Sequence, residues 1–142
     1  FLKLLLKKVE FDIIVTIESG GIPLAHELSK LFSTEFIVIR KSVKPYMNDP
    51  IIQKVKSITS NKYQTLVLEK KNADVLEKKK VLIVDDIISS GNTIKQTIKI
   101  LDKLSLKIVS IATIFLEGDS QNSTHIDGYP ILHIDKLPIY ID

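Results

Sequence analysis

One strand–loop–helix segment constrains the fold of this chain more than any other part of the sequence. Residues 80–85 form an apolar, β-branched run that ends in two adjacent carboxylates, Asp85 and Asp86. A loop of small and polar residues follows, and residues 92–104 then carry apolar side chains at helical spacing. A buried strand, a short loop and an amphipathic helix are typical of one half of a βαβ unit.

The same alternation of strand and helix runs along the whole chain. Apolar runs at residues 11–17, 36–39, 108–116 and 131–134 predict further strands, and a helix is predicted to begin near Pro23. We therefore expect an α/β fold of the Rossmann-like kind, a mostly parallel β-sheet with helices on both faces. In such folds ligands bind beyond the carboxyl ends of the strands.

Length and composition exclude several classes of protein. The chain has 142 residues, 44% of them hydrophobic and 26% charged, which fits a single folded domain over residues 1–142. It has no cysteine, so a disulfide framework and a thiolate site are excluded. No apolar run approaches the roughly 20 residues that cross a bilayer, and residues 1–10, with their lysines and no small-residue cleavage site, lead us to expect no signal peptide. We expect a cytoplasmic location, no membrane contact, no metal held by the protein, and a missing segment before Phe1.

The loop between the paired acids and the following helix predicts a site for a ribose 5-phosphate. A helix start offers unpaired backbone N–H groups and the positive end of the helix dipole, and both favour phosphate. The two carboxylates would repel phosphate, so they suit the hydroxyls of a ribose or a developing positive charge. The predicted catalytic and hydroxyl-binding residues are Asp85 and Asp86, and the predicted phosphate cradle is Ser89, Ser90, Gly91, Asn92 and Thr93.

This segment resembles the phosphoribosyl diphosphate (PRPP) signature of the type I phosphoribosyltransferases. That signature is an apolar strand, two acids, two apolar residues and a small-residue loop that ends in Thr or Ser. A response-regulator receiver also has paired aspartates after an apolar strand, but near its chain start and without such a loop. A Walker B strand can end in paired acids, but no Walker A loop precedes it here.

Two further segments resemble diphosphate-binding parts of the same family. Residues 18–25 look like its first loop, and residues 39–45 resemble its Arg-Lys-x-x-Lys-x-Pro stretch. Many adenine-type members have Arg where Gly20 stands, which weakens an adenine assignment. Taken alone, residues 18–25 are explained equally well as a glycine turn, and residues 39–45 as a solvated basic turn. The resemblance implies diphosphate contacts from Ser19, Gly20, Gly21, Arg40, Lys41, Lys44 and Lys62.

The resemblance also assigns a flap and a hood. Residues 46–68 would form a flexible β-hairpin flap that closes over PRPP and excludes water. The flap looks closer to the bacterial purine-repressor relatives than to the adenine enzymes. Residues 128–134 stand in the place of a short C-terminal hood, where Tyr129 is a candidate to stack on a purine, although residues 131–134 fit a core strand better.

The function implied by the resemblance is that of a purine phosphoribosyltransferase in purine salvage. PRPP and a purine base would give a nucleoside monophosphate and diphosphate, with Mg²⁺ carried by PRPP, and the enzyme would be a homodimer. The rival is a PRPP-sensing transcription regulator, which would contact nucleic acid only through a DNA-binding domain upstream. The net charge of +3 favours the rival modestly. Orotate or uracil as the accepted base is a weaker alternative.

Overall fold

A six-stranded sheet and a separate two-stranded sheet organise the computed structural model, which describes residues 2–56, 63–117 and 124–137. In chain order the strands are β1 Ile13–Ile17, β2 Glu35–Ile39, β3 Ile51–Lys56, β4 Tyr63–Leu68, β5 Lys80–Ile88, β6 Lys107–Glu117, β7 His125–Ile126 and β8 Tyr129–Leu137. The helices are α1 Leu2–Leu6, α2 Ile22–Phe32, α3 Lys70–Leu76 and α4 Asn92–Leu101. The expected α/β architecture is confirmed.

The strand order of the larger sheet creates a switch point at β1. The order is β2-β1-β5-β6-β8-β7, and every neighbouring pair is parallel except β7 and β8. From β1 the chain builds outward to β2 on one side and later to β5 on the other. The carboxyl ends of these three strands therefore lie side by side, which is where open α/β sheets bind ligands.

Side chains on alternate positions of the strands build two cores, one on each face of the sheet. Ile14, Leu82 and Val84 face α1 and α2, where they pack against Ala25 and Leu28. The opposite core covers the other face and includes residues of the hairpin and of α3 and α4. Its members on these elements are Leu66, Leu68, Ala73, Leu76, Ile94, Ile98, Ile100 and Leu101. Helices therefore cover both faces, as expected.

Local sequence explains where the first long helix begins and ends. Pro23 lies in the first turn of α2, where its missing N–H costs no hydrogen bond. Ser33 ends the helix in the left-handed conformation with a φ of 51°. Leu31 continues the helical spacing of apolar residues in this helix, but its side chain is 49% exposed. The core meets a narrower face of α2, through Ala25 and Leu28.

The predicted hairpin is confirmed as the antiparallel pair β3 and β4, with Ile51 opposite Leu68. Leu66 and Leu68 are buried in the core on the face of α4, so the base of the hairpin is anchored. The predicted diphosphate contact Lys62 lies in residues 57–62, outside the described residues.

The C-terminal segment assigned to a hood lies within the larger sheet. Gly128 occupies the turn between β7 and β8, and the residues after it form β8 beside β6. Tyr129 packs against the hydrophobic core on the α4 face. Ile131 is buried as expected of a core strand, whereas Ile134 is 39% exposed, which corrects its assignment to the core. Among the described residues no helix is long and apolar enough to cross a bilayer.

Candidate functional site

The two predicted acids lie inside β5 rather than at its tip. The strand was predicted to end at Asp85, but it continues to Ile88, because Ile87 and Ile88 pair with Phe115 and Leu116 of β6. Both aspartates are half-buried and not freely exposed to solvent. Their positions in the middle of a paired ladder fix the backbone of both residues.

Successive side chains leave a strand on opposite faces, yet the two carboxyl groups stay close enough for a side-chain hydrogen bond. Asp85 continues the row of Val81 and Ile83, which belong to the core on the α4 face. Asp86 continues the row of Leu82 and Val84 on the α2 face. Asp85 alone of the two lines a cavity of about 130 Å³. The rest of that cavity is formed by Ile87, Ile88, Ser89, Ser90, Gly91, Asn92, Thr93 and Ile94.

The environment of Asp85 changes its acidity. Burial raises the pKa of Asp85 to about 7, and a side-chain hydrogen bond with Asp86 adds to the rise. The backbone N–H of Asp86 donates to Oδ1 of Asp85 at 2.9 Å and acts in the opposite direction. Asp85 therefore changes its charge near neutral pH, in a cavity beside a helix start.

The loop from Ser89 to Thr93 has the geometry of an anion cradle. Gly91 has a φ of 79°, the left-handed region that glycine adopts without strain, and α4 begins at the next residue. The Ser90 hydroxyl accepts a hydrogen bond from the backbone N–H of Asn92 at 3.2 Å. The first residues of α4 line the same cavity as Asp85, so all five predicted cradle residues come together with one of the two acids.

The first loop packs directly on the acidic pair. A Cβ atom on Gly21 would contact the Thr16 hydroxyl and would lie 3.2 Å from Oδ1 of Asp85. A Cβ atom on Gly20 would meet the carboxylate of Asp86. Close approach therefore requires glycine at residue 21, whereas at residue 20 a Cβ would meet only the end of the Asp86 side chain, and the loop between β1 and α2 touches the residues that β5 supplies.

Glu18, which the sequence analysis assigned only to the first loop, holds the start of the predicted basic turn. Nη1 of Arg40 lies 3.6 Å from Oε2 of Glu18, and the backbone N–H of Lys41 donates to Oε1 of Glu18 at 2.5 Å. Arg40 is thus an ion-pair partner in the protein and not a free cation. Among the described residues, neither Lys41 nor Lys44 has an acid within ion-pair distance.

Buried polar groups also support the site. The hydroxyl of Thr113, in β6, is fully buried and donates to the backbone oxygen of Asp86 at 2.9 Å. In the described part of the chain, the Thr16 hydroxyl and Nδ1 of His133 are buried without a partner. Sequence reasoning missed Thr16 and Thr113 because both read as ordinary β-branched strand residues.

The acids present do not form a metal centre by themselves. Within the described ranges no three His, Asp or Glu side chains are placed to hold one ion. Any Mg²⁺ would need most of its oxygen ligands from a bound phosphate compound.

Comparison with protein families gives a match over almost the whole chain. The model of the phosphoribosyl transferase domain matches residues 3–134. A hypoxanthine/guanine phosphoribosyltransferase from Ferroglobus placidus is 28% identical over 94% of this chain and 68% of its own length. The transcriptional regulator GfcR from Methanococcus maripaludis is 35% identical over 95% of this chain and 58% of its own length. The chain thus spans about two thirds of that enzyme and little more than half of that regulator.

Solved structures match the fold. The adenine phosphoribosyltransferase from Thermoanaerobacter pseudethanolicus superimposes with a TM-score of 0.83 at 24% identity, over 96% of this chain and 76% of that one. The adenine enzyme from Trypanosoma brucei, solved with AMP, pyrophosphate and ribose-5-phosphate, gives a TM-score of 0.74 at 16% identity, over 96% of this chain and 61% of that one. At these identities the likeness concerns the architecture alone.

Proposed function

The chain belongs to the phosphoribosyltransferase family, and we propose that it is a purine phosphoribosyltransferase, which transfers the ribose 5-phosphate of PRPP to a purine base. The products would be a nucleoside monophosphate and diphosphate. The observation that carries the proposal is the cavity that joins Asp85 to the left-handed Gly91 and to the start of α4. One wall of this cavity suits ribose hydroxyls and the other suits a phosphate.

Each part of the site has a role in the proposed reaction. Backbone and hydroxyl groups of residues 89–93 would anchor the 5′-phosphate, and Asp85 would accept hydrogen bonds from the ribose hydroxyls. Asp86 faces the first loop, so it would act on the diphosphate side of the sugar. The amides of residues 19–21 and the free cations Lys41 and Lys44 would meet the diphosphate.

In the reacting step, the bond from the anomeric carbon to the diphosphate oxygen breaks and its electron pair leaves with the diphosphate. A nitrogen of the purine then forms the new bond to that carbon, and the N–H proton of the base passes to the departing diphosphate or to solvent. The sugar carries positive charge in between, which the nearby carboxylate of an ionised Asp85 would stabilise. The charge that builds on the leaving group is met by Lys41 and Lys44 and by the Mg²⁺ that enters as part of the substrate.

A second candidate is a PRPP-sensing transcription regulator with the same pocket. The observation that favours it is that GfcR shares 35% identical residues with this chain, against 28% and 30% for two hypoxanthine/guanine enzymes. A sensor needs only a ligand that shifts the balance of two conformations. It does not need a leaving group to depart.

Turnover and binding measured together distinguish the two. Diphosphate release from Mg²⁺–PRPP should be followed with adenine, hypoxanthine, guanine, xanthine and orotate, while calorimetry measures PRPP affinity. Turnover with a purine and not with orotate supports the enzyme. PRPP binding without turnover of any base supports the sensor, and the absence of PRPP binding refutes both.

A further inference from the structure

The carboxylate of Glu18 uses both of its oxygens on the turn that follows β2. Oε1 accepts the backbone N–H of Lys41, and Oε2 lies 3.6 Å from the guanidinium of Arg40. The side chains are largely covered, with 20% of Glu18 and 33% of Arg40 exposed. Two simultaneous contacts from one half-buried carboxylate restrain the start of the turn more than a single exposed ion pair would.

This carboxylate is an unexpected neighbour for a site that receives an anion. The hydrogen bond from the Lys41 N–H lowers the pKa of Glu18, and the charges of Lys44 and Arg40 lower it further against the opposing effect of burial. Glu18 therefore stays ionised at neutral pH. It repels an incoming diphosphate and occupies Arg40, so its presence requires a compensating role.

The backbone shows what that role is. The N–H of Glu18 donates to the backbone oxygen of Ile39, the last residue of β2, at 3.0 Å, which continues the contact between the two strands one residue beyond the end of β1. The next residues of the same loop, Gly20 and Gly21, pack on the two aspartates of β5. Glu18 is thus the point at which the basic turn, the amide loop and the acidic pair are joined.

The backbone of Arg40 pairs with Val67 of β4, but few contacts hold the turn beyond residue 40. Residues 41–43 are exposed, and the contacts described around residue 44 are local ones with Met47. Backbone segments with few buried contacts and solvent-facing hydrogen bonds open easily. Without Glu18, the cations at residues 41 and 44 would therefore sample many positions relative to the amides of residues 19–21.

We propose that Glu18 is a positioning residue, which holds the turn of residues 40–44 beside the amides of residues 19–21 so that both contact one diphosphate. The role rests on the proposed function, because it assumes that the ligand carries a diphosphate. The ion pair with Glu18 makes the charge of Arg40 less available to the ligand, but the contacts of Glu18 restrain the positions of Lys41 and Lys44. Because the turn is already ordered, less binding free energy is lost in ordering it when the anion binds.

Two substitutions separate positioning from charge. Glu18→Gln keeps the side-chain length and an oxygen that accepts the Lys41 N–H, but removes the negative charge. Glu18→Ala removes both the acceptor and the charge. Glu27→Ala serves as the matched control, because Glu27 is an exposed acid on α2 that pairs at 3.9 Å with Lys30.

The first measurement is hydrogen exchange in the ligand-free protein. In Glu18→Ala the amides of residues 41–44 should exchange about tenfold faster, whereas Glu18→Gln and Glu27→Ala should resemble the unmutated protein. The second is calorimetry with Mg²⁺–diphosphate and, separately, with ribose 5-phosphate. Glu18→Ala should lose about five- to tenfold in diphosphate affinity and nothing in ribose 5-phosphate affinity, and Glu18→Gln should restore diphosphate binding.

Other results would overturn the proposal. Tighter diphosphate binding by both variants would show that Glu18 acts only as a repelling charge. A lower melting temperature for Glu18→Ala with unchanged diphosphate affinity would show that Glu18 stabilises the fold and does not position the turn for the ligand. If the unmutated protein binds no diphosphate, the proposed function itself fails. If it binds diphosphate and Glu18→Ala binds it equally well, the positioning role alone is refuted.

Discussion

A Cβ atom on Gly20 would lie 2.6 Å from Oδ2 of Asp86, closer than side-chain carbon and carboxylate oxygen can approach. The carboxylate of Asp86 fills the space that a side chain at residue 20 would need. Its other oxygen, Oδ1, accepts the backbone N–H of Ile87 at 2.9 Å. The absence of a side chain at Gly20 therefore lets the first loop lie directly against the second acid of β5.

The two glycines of the first loop should respond differently to alanine. At Gly21 the new Cβ would meet the buried Thr16 hydroxyl and lie 3.3 Å from Cα of Asp85, neither of which can move freely, so we expect a loss of about 1–3 kcal/mol in unfolding free energy. At Gly20 it would meet only the end of the Asp86 side chain, so we expect a loss below about 1 kcal/mol. Urea unfolding at pH 7 measures both, and equal losses would contradict the packing described.

The acidity of Asp85 predicts a pH-dependent gain in stability on its substitution by Asn. Because its pKa is raised to about 7, the folded protein keeps the proton while the unfolded chain loses it above its ordinary pKa of 3.8. The ionisation of Asp85 thus has no effect on the free energy of unfolding below about pH 4. It lowers that free energy increasingly between pH 4 and pH 7, and by a constant amount above pH 7. Asp85→Asn should therefore stabilise the fold above pH 7 and leave it unchanged at pH 4.

The size of this effect is limited by solvent, since Asp85 is only half-buried. We expect about 1–2 kcal/mol at pH 8, or about 2–8 °C in melting temperature. Asp74→Asn is the control, because Asp74 is an exposed acid on α3 whose partner is Lys70. A gain at pH 8 that is equal for both variants, or a gain for Asp85→Asn that persists at pH 4, would refute the raised pKa.

The parts of the site that depend on local sequence could be predicted, and the parts that depend on strand neighbours could not. The apolar run before Asp85, the glycine at residue 91 and the helix start at residue 92 are contiguous, so their pattern indicated a strand, a loop and a phosphate cradle. The pairing of Glu18 with Arg40 joins residues 22 positions apart in the chain. It depends on the parallel register of β1 and β2, which no local pattern specifies.

The elements that sequence reasoning missed have physical reasons of the same kind. Helix α3, Lys70–Leu76, buries only Ala73 and Leu76, which is too short a stripe to stand out as helical periodicity. The extension of β5 to Ile88 was not predicted, because two acids interrupt its apolar run. In the structure both acids are half-buried and Ile87 is 41% exposed. Helix α4 ends at Leu101, three residues before the predicted end, although Leu104 still packs on the core.

The anion cradle predicts separate effects at two glycines with the same backbone conformation. Gly91 and Gly128 have φ values of 79° and 85°, so alanine should cost each about 1 kcal/mol through backbone strain. Only Gly91 lies in the cavity beside Asp85. Gly91→Ala should therefore lower the affinity for ribose 5-phosphate about tenfold or more, while Gly128→Ala, with open space around its new Cβ, should leave that affinity unchanged.

Calorimetry with ribose 5-phosphate, supported by urea unfolding of both variants, tests this assignment. Similar stability losses with a selective loss of binding in Gly91→Ala place the phosphate in the loop of residues 89–93. A loss of binding in both variants would indicate that strain and not contact is responsible. Unchanged binding in Gly91→Ala would place the phosphate elsewhere.

The hairpin of β3 and β4 predicts a graded response to ligand. Leu66 and Leu68 are buried at its base on the face of α4, whereas Tyr63, near the other end, is 67% exposed. We therefore expect slow hydrogen exchange at residues 66–68 with or without ligand, and fast exchange at residues 63–64 in the empty protein. If the hairpin closes over the reacting sugar, Mg²⁺–PRPP should slow exchange at residues 63–64 by about tenfold.

Ribose 5-phosphate is the matched ligand for this experiment, because it fills the cradle but carries no diphosphate. Since the basic turn at residues 40–44 reaches β4 through the backbone pairing of Arg40 with Val67, a diphosphate held by that turn should restrain the hairpin and ribose 5-phosphate should not. Slower exchange at residues 63–64 with PRPP alone would support closure coupled to the leaving group, as catalysis requires. Equal slowing with both ligands, or none with either, would contradict that coupling.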